Sequence, residues 1–292
     1  MKPAPFAYYR ATNADEALAL LGEHGDEAKP LAGGQSLIPA MNFRLARPTV
    51  LVDLNGAGEL AGIDVQPHGA LRVGAMTRQR TVERSATMAA HAPLLAEAMP
   101  WVAHVAIRTR GTVGGSVAHA DPAAELPAVF AALNARYLVR SSGGSRWISA
   151  DAFTTGLFAT ALEHGELLTA IEIPPMPRRT GWAFVEMARR HGDFALAGVA
   201  CTVTLDDNGV CGNTRIALFG VGDGPIVSTG AAAVMIGTAP SPDAFRAAAD
   251  AAESDVDPPS DIHATASYRR HLVGVLTRRA FARATERAGK IQ

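Results

Sequence analysis

What the 292-residue chain lacks narrows its chemistry first. It has only two cysteines, Cys201 and Cys211. Two thiolates cannot complete the ligand set of an iron–sulfur cluster, so a redox assembly containing this chain would carry that centre elsewhere. The two flank a turn at 206–209 and could face each other across a hairpin, although a disulfide is not expected in a cytosolic protein. The nine histidines show no metal-ligand spacing. His91, His104, His119 and His271 read as structural or exposed side chains, and no metal site is expected. No apolar run reaches the roughly 18 residues of a membrane span, and the start MKPAPFAYYR has no apolar leader core. A soluble, cytoplasmic protein without a transmembrane segment is expected. Net charge is −1, with neither a basic surplus for nucleic acid nor an acidic tail. No G-x-G-x-x-G follows the first strand, and no Gly-Lys-Ser/Thr follows either glycine-rich stretch. Neither a Rossmann site nor a P-loop is expected. Charged residues are 19% and hydrophobic residues 48%, which favours a sizeable core over disorder.

Against these absences one stretch stands out, residues 107–127, IRTRGTVGGSVAHADPAAELP. Gly111, Gly114 and Gly115 lack a Cβ, so the backbone there can approach a ligand closely. Thr109, Thr112 and Ser116 add hydroxyl donors. N–H groups plus hydroxyls suit an anion, most often a phosphate. Asp121 precedes Pro122, which favours an extended backbone at the acid. A carboxylate would repel a phosphate, so its expected partner is a hydroxyl, as on a ribose or ribityl chain. A second stretch, PLAGGQSLIP at 30–39, repeats the pattern with Gly33, Gly34, Gln35 and Ser36. Either alone reads equally well as a turn. Together they suggest one extended, doubly phosphorylated ligand gripped from two sides.

AGGQSLIP at 32–39 and TVGGSVAHADPAAELP at 112–127 resemble the two FAD-binding loops of the medium, flavoprotein subunit of molybdenum hydroxylases. That family includes carbon monoxide dehydrogenase medium chains and the flavin domain of xanthine dehydrogenase. The resemblance extends to the N-terminal KPxxFxYxR start and to RRHGDFA at 189–195. It implies non-covalently bound FAD. Ala32, Gly33, Gly34, Gln35 and Ser36 would hold the pyrophosphate with Gly111, Thr112, Val113, Gly114 and Gly115, and Leu37 would be a further cofactor-binding residue. Asp121 would take the ribityl or ribose hydroxyls, and Thr109, Ser116 and Ala118 would line the same groove. Charge-assisted hydrogen bonds of this kind contribute about 1.5–3 kcal/mol each. Arg190 and Phe194 would approach the isoalloxazine, Arg190 by its charge and Phe194 by shielding one ring face. Phe194 reads equally well as core of the next strand. The family often has His at the position of Gln35 and Asn at that of Ser116. Gln retains donor and acceptor capacity, whereas Ser is shorter than Asn.

The fold expected is α+β, with a two-subdomain, PCMH-like FAD-binding region followed by a C-terminal three-stranded antiparallel sheet with helices. Residues 1–176 form the first domain, with subdomains of about 1–55 and 56–176, and residues 177–292 the second. The divider is IPPMPRRT at 173–180. Asn13 caps a first helix with Glu16 at the capping-box position, and Gly22 and Gly25 end it. Strands are expected at 29–32 and 48–54, with helical spacing of Leu37, Ile38, Met41 and Leu45 between them. Arg44 and Arg47 read as surface charges. A hairpin follows at 60–74, Thr77 caps a short helix, and residues 91–105 form another. An apolar helix at 126–133 has Glu125 in its first turn, and strands follow at 136–140, 146–148 and 166–173. The C-terminal strands are expected at 182–188, 195–205 and 210–221, and helices at 243–252 and 266–287. The last helix carries Leu272, Val275, Leu276 and Ala280 on one face. Arg269, Arg270, Arg278, Arg279, Arg283 and Arg287 read as a solvated basic face.

The resemblance implies an oxidoreductase subunit with no residue of its own acting on the organic substrate. Electrons would come from a small [2Fe–2S] subunit and leave for an external acceptor. A large molybdopterin subunit would complete a heterotrimer that itself dimerises. Two alternatives stay open at this point. One is a self-sufficient FAD-dependent oxidase or reductase of the same fold, with His119 or His191 as proton donor. The other is a nucleotide-binding module without redox function.

Overall fold

The computed structural model describes residues 1–290. The final two positions of the expected second domain lie outside the described residues. The chain opens with β1 (Ala7–Arg10), α1 (Ala14–His24), β2 (Ala28–Leu31), α2 (Leu37–Asn42) and β3 (Val50–Asp53). These strands form a parallel sheet in the order β1-β3-β2. β3 is central and buried along its length, which explains its apolar run Val50–Val52. Asn13 caps α1, its Oδ1 accepting the Glu16 N–H at 2.8 Å. The returning arm of Glu16 accepts from the Thr12 N–H and hydroxyl, at 2.8 and 2.6 Å, rather than from the Asn13 N–H. Gly22 stays inside the helix, and Gly25 ends it. α2 is shorter than its apolar spacing suggests. Arg44 adopts φ +59° and turns the chain away, so only Met41 is buried and Leu45 is 85% exposed.

The middle of the chain contains β4 (Ile63–Val65), β5 (Leu71–Gly74), α3 (Gln79–Glu83), α4 (Ala86–His91), α5 (Pro93–Ala98), α6 (Val105–Arg110), α7 (Val113–His119) and α8 (Glu125–Ala132). After these come β6 (Arg136–Ser141), β7 (Gly144–Ser149), α9 (Ala150–Phe153), β8 (Thr154–Gly156), β9 (Ala159–Thr160) and β10 (Leu167–Ile173). Five strands pair antiparallel in the order β4-β5-β10-β6-β7, and β8 and β9 form a separate ribbon. The helix expected over 91–105 is interrupted. His91 ends α4, Pro93 restarts the chain as α5, and Pro100 sits in a separate 3₁₀ turn at Met99–Trp101. Proline fixes φ and lacks the N–H that a helix interior needs. Thr77 is not a cap. Its hydroxyl bonds the N–H and C=O of Gly62, while Arg78 precedes α3.

The C-terminal part holds β11 (Thr180–Ala188), β12 (Ala195–Leu205), β13 (Cys211–Phe219), β14 (Ile226–Val227), α10 (Thr229–Met235), α11 (Pro242–Ser254) and α12 (Ala266–Lys290). Its antiparallel sheet, in the order β11-β12-β13-β14, has a short fourth strand beyond the expected three. One face packs on α10, α11 and α12. The other contributes Phe184, Ala200, Ala217 and Phe219 to the same apolar cluster as α8 and the five-stranded sheet. All eight residues of α8 are buried. Cys201 and Cys211 are buried free thiols. They do not pair across the hairpin, since Cys201 lies opposite Ile216 and Cys211 opposite Leu205.

The arginines of α12 do not form the solvated face their spacing suggests. Arg269 is 5% exposed and donates to the carbonyls of Leu196 and Gly220 and to Asp261. Arg283 and Arg287 pair with Glu97 of α5 and donate to the carbonyls of Phe184 and Trp182. Arg278 and Arg279 remain exposed.

Candidate functional site

The two glycine stretches meet. A Cβ on Gly33 would lie 2.5 Å from the Arg110 carbonyl oxygen and 2.7 Å from Gly111 Cα. A Cβ on Gly115 would lie 3.5 Å from that of Ala32. Parallel pairing of β2 with β3 delivers the first stretch to this point, and the short helix α6 delivers the second.

Their donor groups differ sharply. The backbone N–H groups of Gly33, Gly34, Gln35, Ser36 and Leu37 donate to no protein acceptor among the described residues. Gly34 takes φ +72°, a left-handed conformation that glycine adopts without cost from a Cβ. A run of free N–H groups leading into a helix start is an anion-binding arrangement. The second stretch is helical rather than a loop, and most of its donors are already engaged. The Gly111 N–H bonds Ile107, Val113 bonds Thr77, Gly114 bonds Ala75 and Ser116 bonds Thr112, all through backbone carbonyls. The Gly115 N–H donates to the hydroxyl of Thr112, which caps α7. A Cβ on Gly114 would lie 2.4 Å from that of Ala75. These glycines therefore serve close packing of α7, and the expectation of free N–H groups holds only for the first stretch. The Thr109 hydroxyl is likewise engaged, donating to the Val105 carbonyl. Ser116 is partly exposed and Ala118 exposed, on the same short helix as Gly115. One oxygen of Asp121 accepts from the Ala123 N–H at 2.9 Å, which leaves the other for a ligand hydroxyl.

The segment at 190–194 reaches the opposite end of α6. A Cβ on Gly192 would lie 2.6 Å from the His104 ring, and the His191 ring sits 5.2 Å from that of Trp101. The six residues of α6 span about 9 Å, which separates this segment from Gly111. Phe194 is 71% exposed, so it is not core of the following strand, and Arg190 is exposed. His119 packs against Phe158, with ring centroids 5.2 Å apart.

Three features escaped the sequence. Arg78 donates to the carbonyl of Arg110 and to Asn55, and Asn55 donates to the carbonyl of Ala32 at 3.0 Å. Nothing local in the sequence marks either residue. The third is a pair of buried carboxyls behind Asp121. Glu125 begins α8 and is 7% exposed, and Glu186 of β11 is 9% exposed. Both Glu186 oxygens lack a hydrogen-bond partner among the described residues. Burial pushes the Glu186 carboxyl up to about 8, with the charge of Glu125 adding to the effect. Burial likewise pushes Glu125 up to about 7, opposed by its own backbone N–H and by Arg108, and reinforced by Asp121. Two-residue alternation along β11 could have revealed Glu186, because it shares a face with the buried Phe184.

A row of unpaired N–H groups beside a packed wall of small residues has donors suited to a diphosphate, outside the Rossmann and P-loop patterns. Comparison with known proteins narrows the class. Residues 4–176 match the family described as the FAD binding domain in molybdopterin dehydrogenase. Residues 182–284 match the CO dehydrogenase flavoprotein C-terminal domain. The chain is 41% identical over 288 residues to the 6-hydroxypseudooxynicotine dehydrogenase complex subunit alpha of Paenarthrobacter nicotinovorans, covering 99% of this chain and 97% of that protein. It is 40% identical over 288 residues to the carbon monoxide dehydrogenase medium chain of Afipia carboxidovorans, covering 99% of each. Among solved structures, a carbon monoxide dehydrogenase from Hydrogenophaga pseudoflava superposes with a TM-score of 0.96 at 37% identity, covering 98% of this chain and 99% of that one. The chain belongs to the FAD-binding flavoprotein subunits of the molybdenum hydroxylase family, of the carbon monoxide dehydrogenase medium-chain type. Its cofactor is FAD, and the donor set at Gly33–Leu37 suits a pyrophosphate.

Proposed function

We propose that this chain is the electron-transferring subunit of a cytoplasmic molybdenum-containing dehydrogenase. It would receive electrons from a [2Fe–2S] subunit and deliver them to an external acceptor, while a molybdopterin subunit oxidises the organic substrate. Bound FAD would supply the redox chemistry, accepting electrons singly or in pairs. The residues of this chain hold and shield that group. Gly33, Gly34, Gln35, Ser36 and Leu37 donate to the pyrophosphate, with Ala32 beside them. Gly111, Thr112, Val113, Gly114 and Gly115 form the packed wall opposite. Thr109, Ser116 and Ala118 continue that wall, and Asp121 accepts from a ribityl or ribose hydroxyl. Arg190 and Phe194 lie against the ring system.

The observation that carries this reading is the unpaired N–H run from Gly33 to Leu37 pressed against Gly111. Names of relatives support the assembly. One is a subunit of a dehydrogenase complex, and another is a medium chain.

The test is native co-purification of this chain from its own cells, with an absorption spectrum of the eluate. Flavin bands with two co-eluting chains carrying iron and molybdenum are expected. A flavin-bearing chain that elutes alone and oxidises a substrate unaided would overturn the subunit reading.

A further inference from the structure

The free N–H groups of the first stretch are useful only if their peptide planes face the ligand. A trans peptide points its C=O and N–H in opposite directions. Whatever holds the Ala32 carbonyl therefore aims the Gly33 N–H. Asn55 performs that task, donating from Nδ2 at 3.0 Å. Its amide cannot swing, because the same nitrogen donates to Asp53 and its Oδ1 accepts from Arg78. Asp53 is buried and is itself fixed by the Tyr8 hydroxyl and the Asn55 N–H. Burial alone would raise its carboxyl. The hydrogen bonds from Tyr8 and Asn55, helped by Arg10, more than offset this and keep it ionised.

Arg78 completes the arrangement from the other side. Its second guanidinium nitrogen donates to the carbonyl of Arg110, the residue preceding Gly111. Each bonded carbonyl thus immediately precedes the glycine at which the two stretches touch. Resting on the FAD reading above, we infer that Arg78 is a positioning residue. With Asn55 it brackets the Ala32–Gly33 and Arg110–Gly111 peptides, sets the gap between the two stretches and aims the Gly33 N–H at the pyrophosphate. The planar guanidinium suits this task because two nitrogens of one rigid group reach two acceptors. A lysine would keep the charge and lose the span.

The experiment compares the full-length chain with Arg78→Lys, Asn55→Ala and the double variant. Each is stripped of flavin, then titrated with FAD and with ADP, which carries the pyrophosphate without the flavin. Arg78→Lys and Asn55→Ala each weaken FAD by about 10- to 100-fold, with ADP affinity falling in parallel. The double variant is no weaker than about the worse single one, because both changes cut one bracket. Flavin-free thermal unfolding of Arg78→Lys stays close to the parent, which separates positioning from general damage. If Asn55→Ala does not fold, Arg78→Lys alone decides the matter. Parental FAD affinity in Arg78→Lys would show that charge rather than span matters and would overturn the inference. So would additive losses in the double variant. Failure of the underlying reading looks different. The parent would bind no FAD, or Gly33→Val, which drives a side chain into the Arg110 carbonyl, would bind FAD unchanged.

Discussion

Replacing Glu186 with Gln should make the protein's stability less dependent on pH. Glu186 lies on the inward face of β11, with both oxygens unpartnered among the described residues and its carboxyl pushed up to about 8. The charged groups around it are Glu125 at the start of α8 and, beyond that, Asp121 and Arg108. Its unfolded value is the ordinary 4.5. Between those two values the folded chain holds a proton that the unfolded chain has lost. Stability from this group is therefore full below the unfolded value and declines as pH rises toward the folded one. At 1.36 kcal/mol per unit, the loss between pH 5 and pH 9 is roughly 4 kcal/mol. Gln cannot ionise and does not incur it. Urea unfolding of parent and Glu186→Gln across that range should show the variant gaining on the parent as pH rises. A stability difference that stays constant with pH would mean that Glu186 reaches water or a partner in solution, and the reasoning would fail.

Three further outcomes are expected. Asp121→Ala weakens FAD about tenfold by removing the acceptor for a cofactor hydroxyl, read by fluorescence titration; unchanged affinity removes Asp121 from the site. Arg269→Ala strands the carbonyls of Leu196 and Gly220 inside the fold. It costs about 3 kcal/mol in urea unfolding, and a loss below about 1 kcal/mol would contradict the burial argument. Burial pushes the Cys201 thiol up to about 12 and Cys211 up to about 11. Neither thiol should react with an alkylating agent at pH 8 until the protein unfolds, and rapid labelling of the native chain would refute this.

The sequence disclosed elements whose cause is local. Asn13 and Glu16 mark α1 because capping is a matter of neighbouring residues. The turn between β12 and β13 was equally visible, because the Asp206 side chain accepts the N–H groups of Asn208 and Val210. Tertiary contacts decide other positions. Thr77 has the chemistry of a cap but is drawn to Gly62 across the β4–β5 unit. Thr112 accepts the Gly115 N–H and so caps α7, and the stretch that reads as a loop is helical. Arg269 reads as solvated because two of its three acceptors are main-chain carbonyls, which carry no residue identity. Arg78 and Asn55 were invisible for the same reason, since half of their bracket consists of peptide carbonyls.

The burial of α8 has a consequence for how the chain can be divided. The Pro-rich punctuation near 174–180 looks like a place to cut. Yet α8 shares one apolar cluster with the five-stranded sheet and with Phe184 and Phe219 of the following part. Severing the chain there would leave two apolar surfaces, each made to be covered by the other. Fragment 1–176 expressed alone should aggregate, and supplying 177–292 in trans should restore solubility. The two parts are distinct in sequence and share one apolar cluster. Insertions or fusions are better placed at the chain ends or in the 206–209 turn than at the apparent linker.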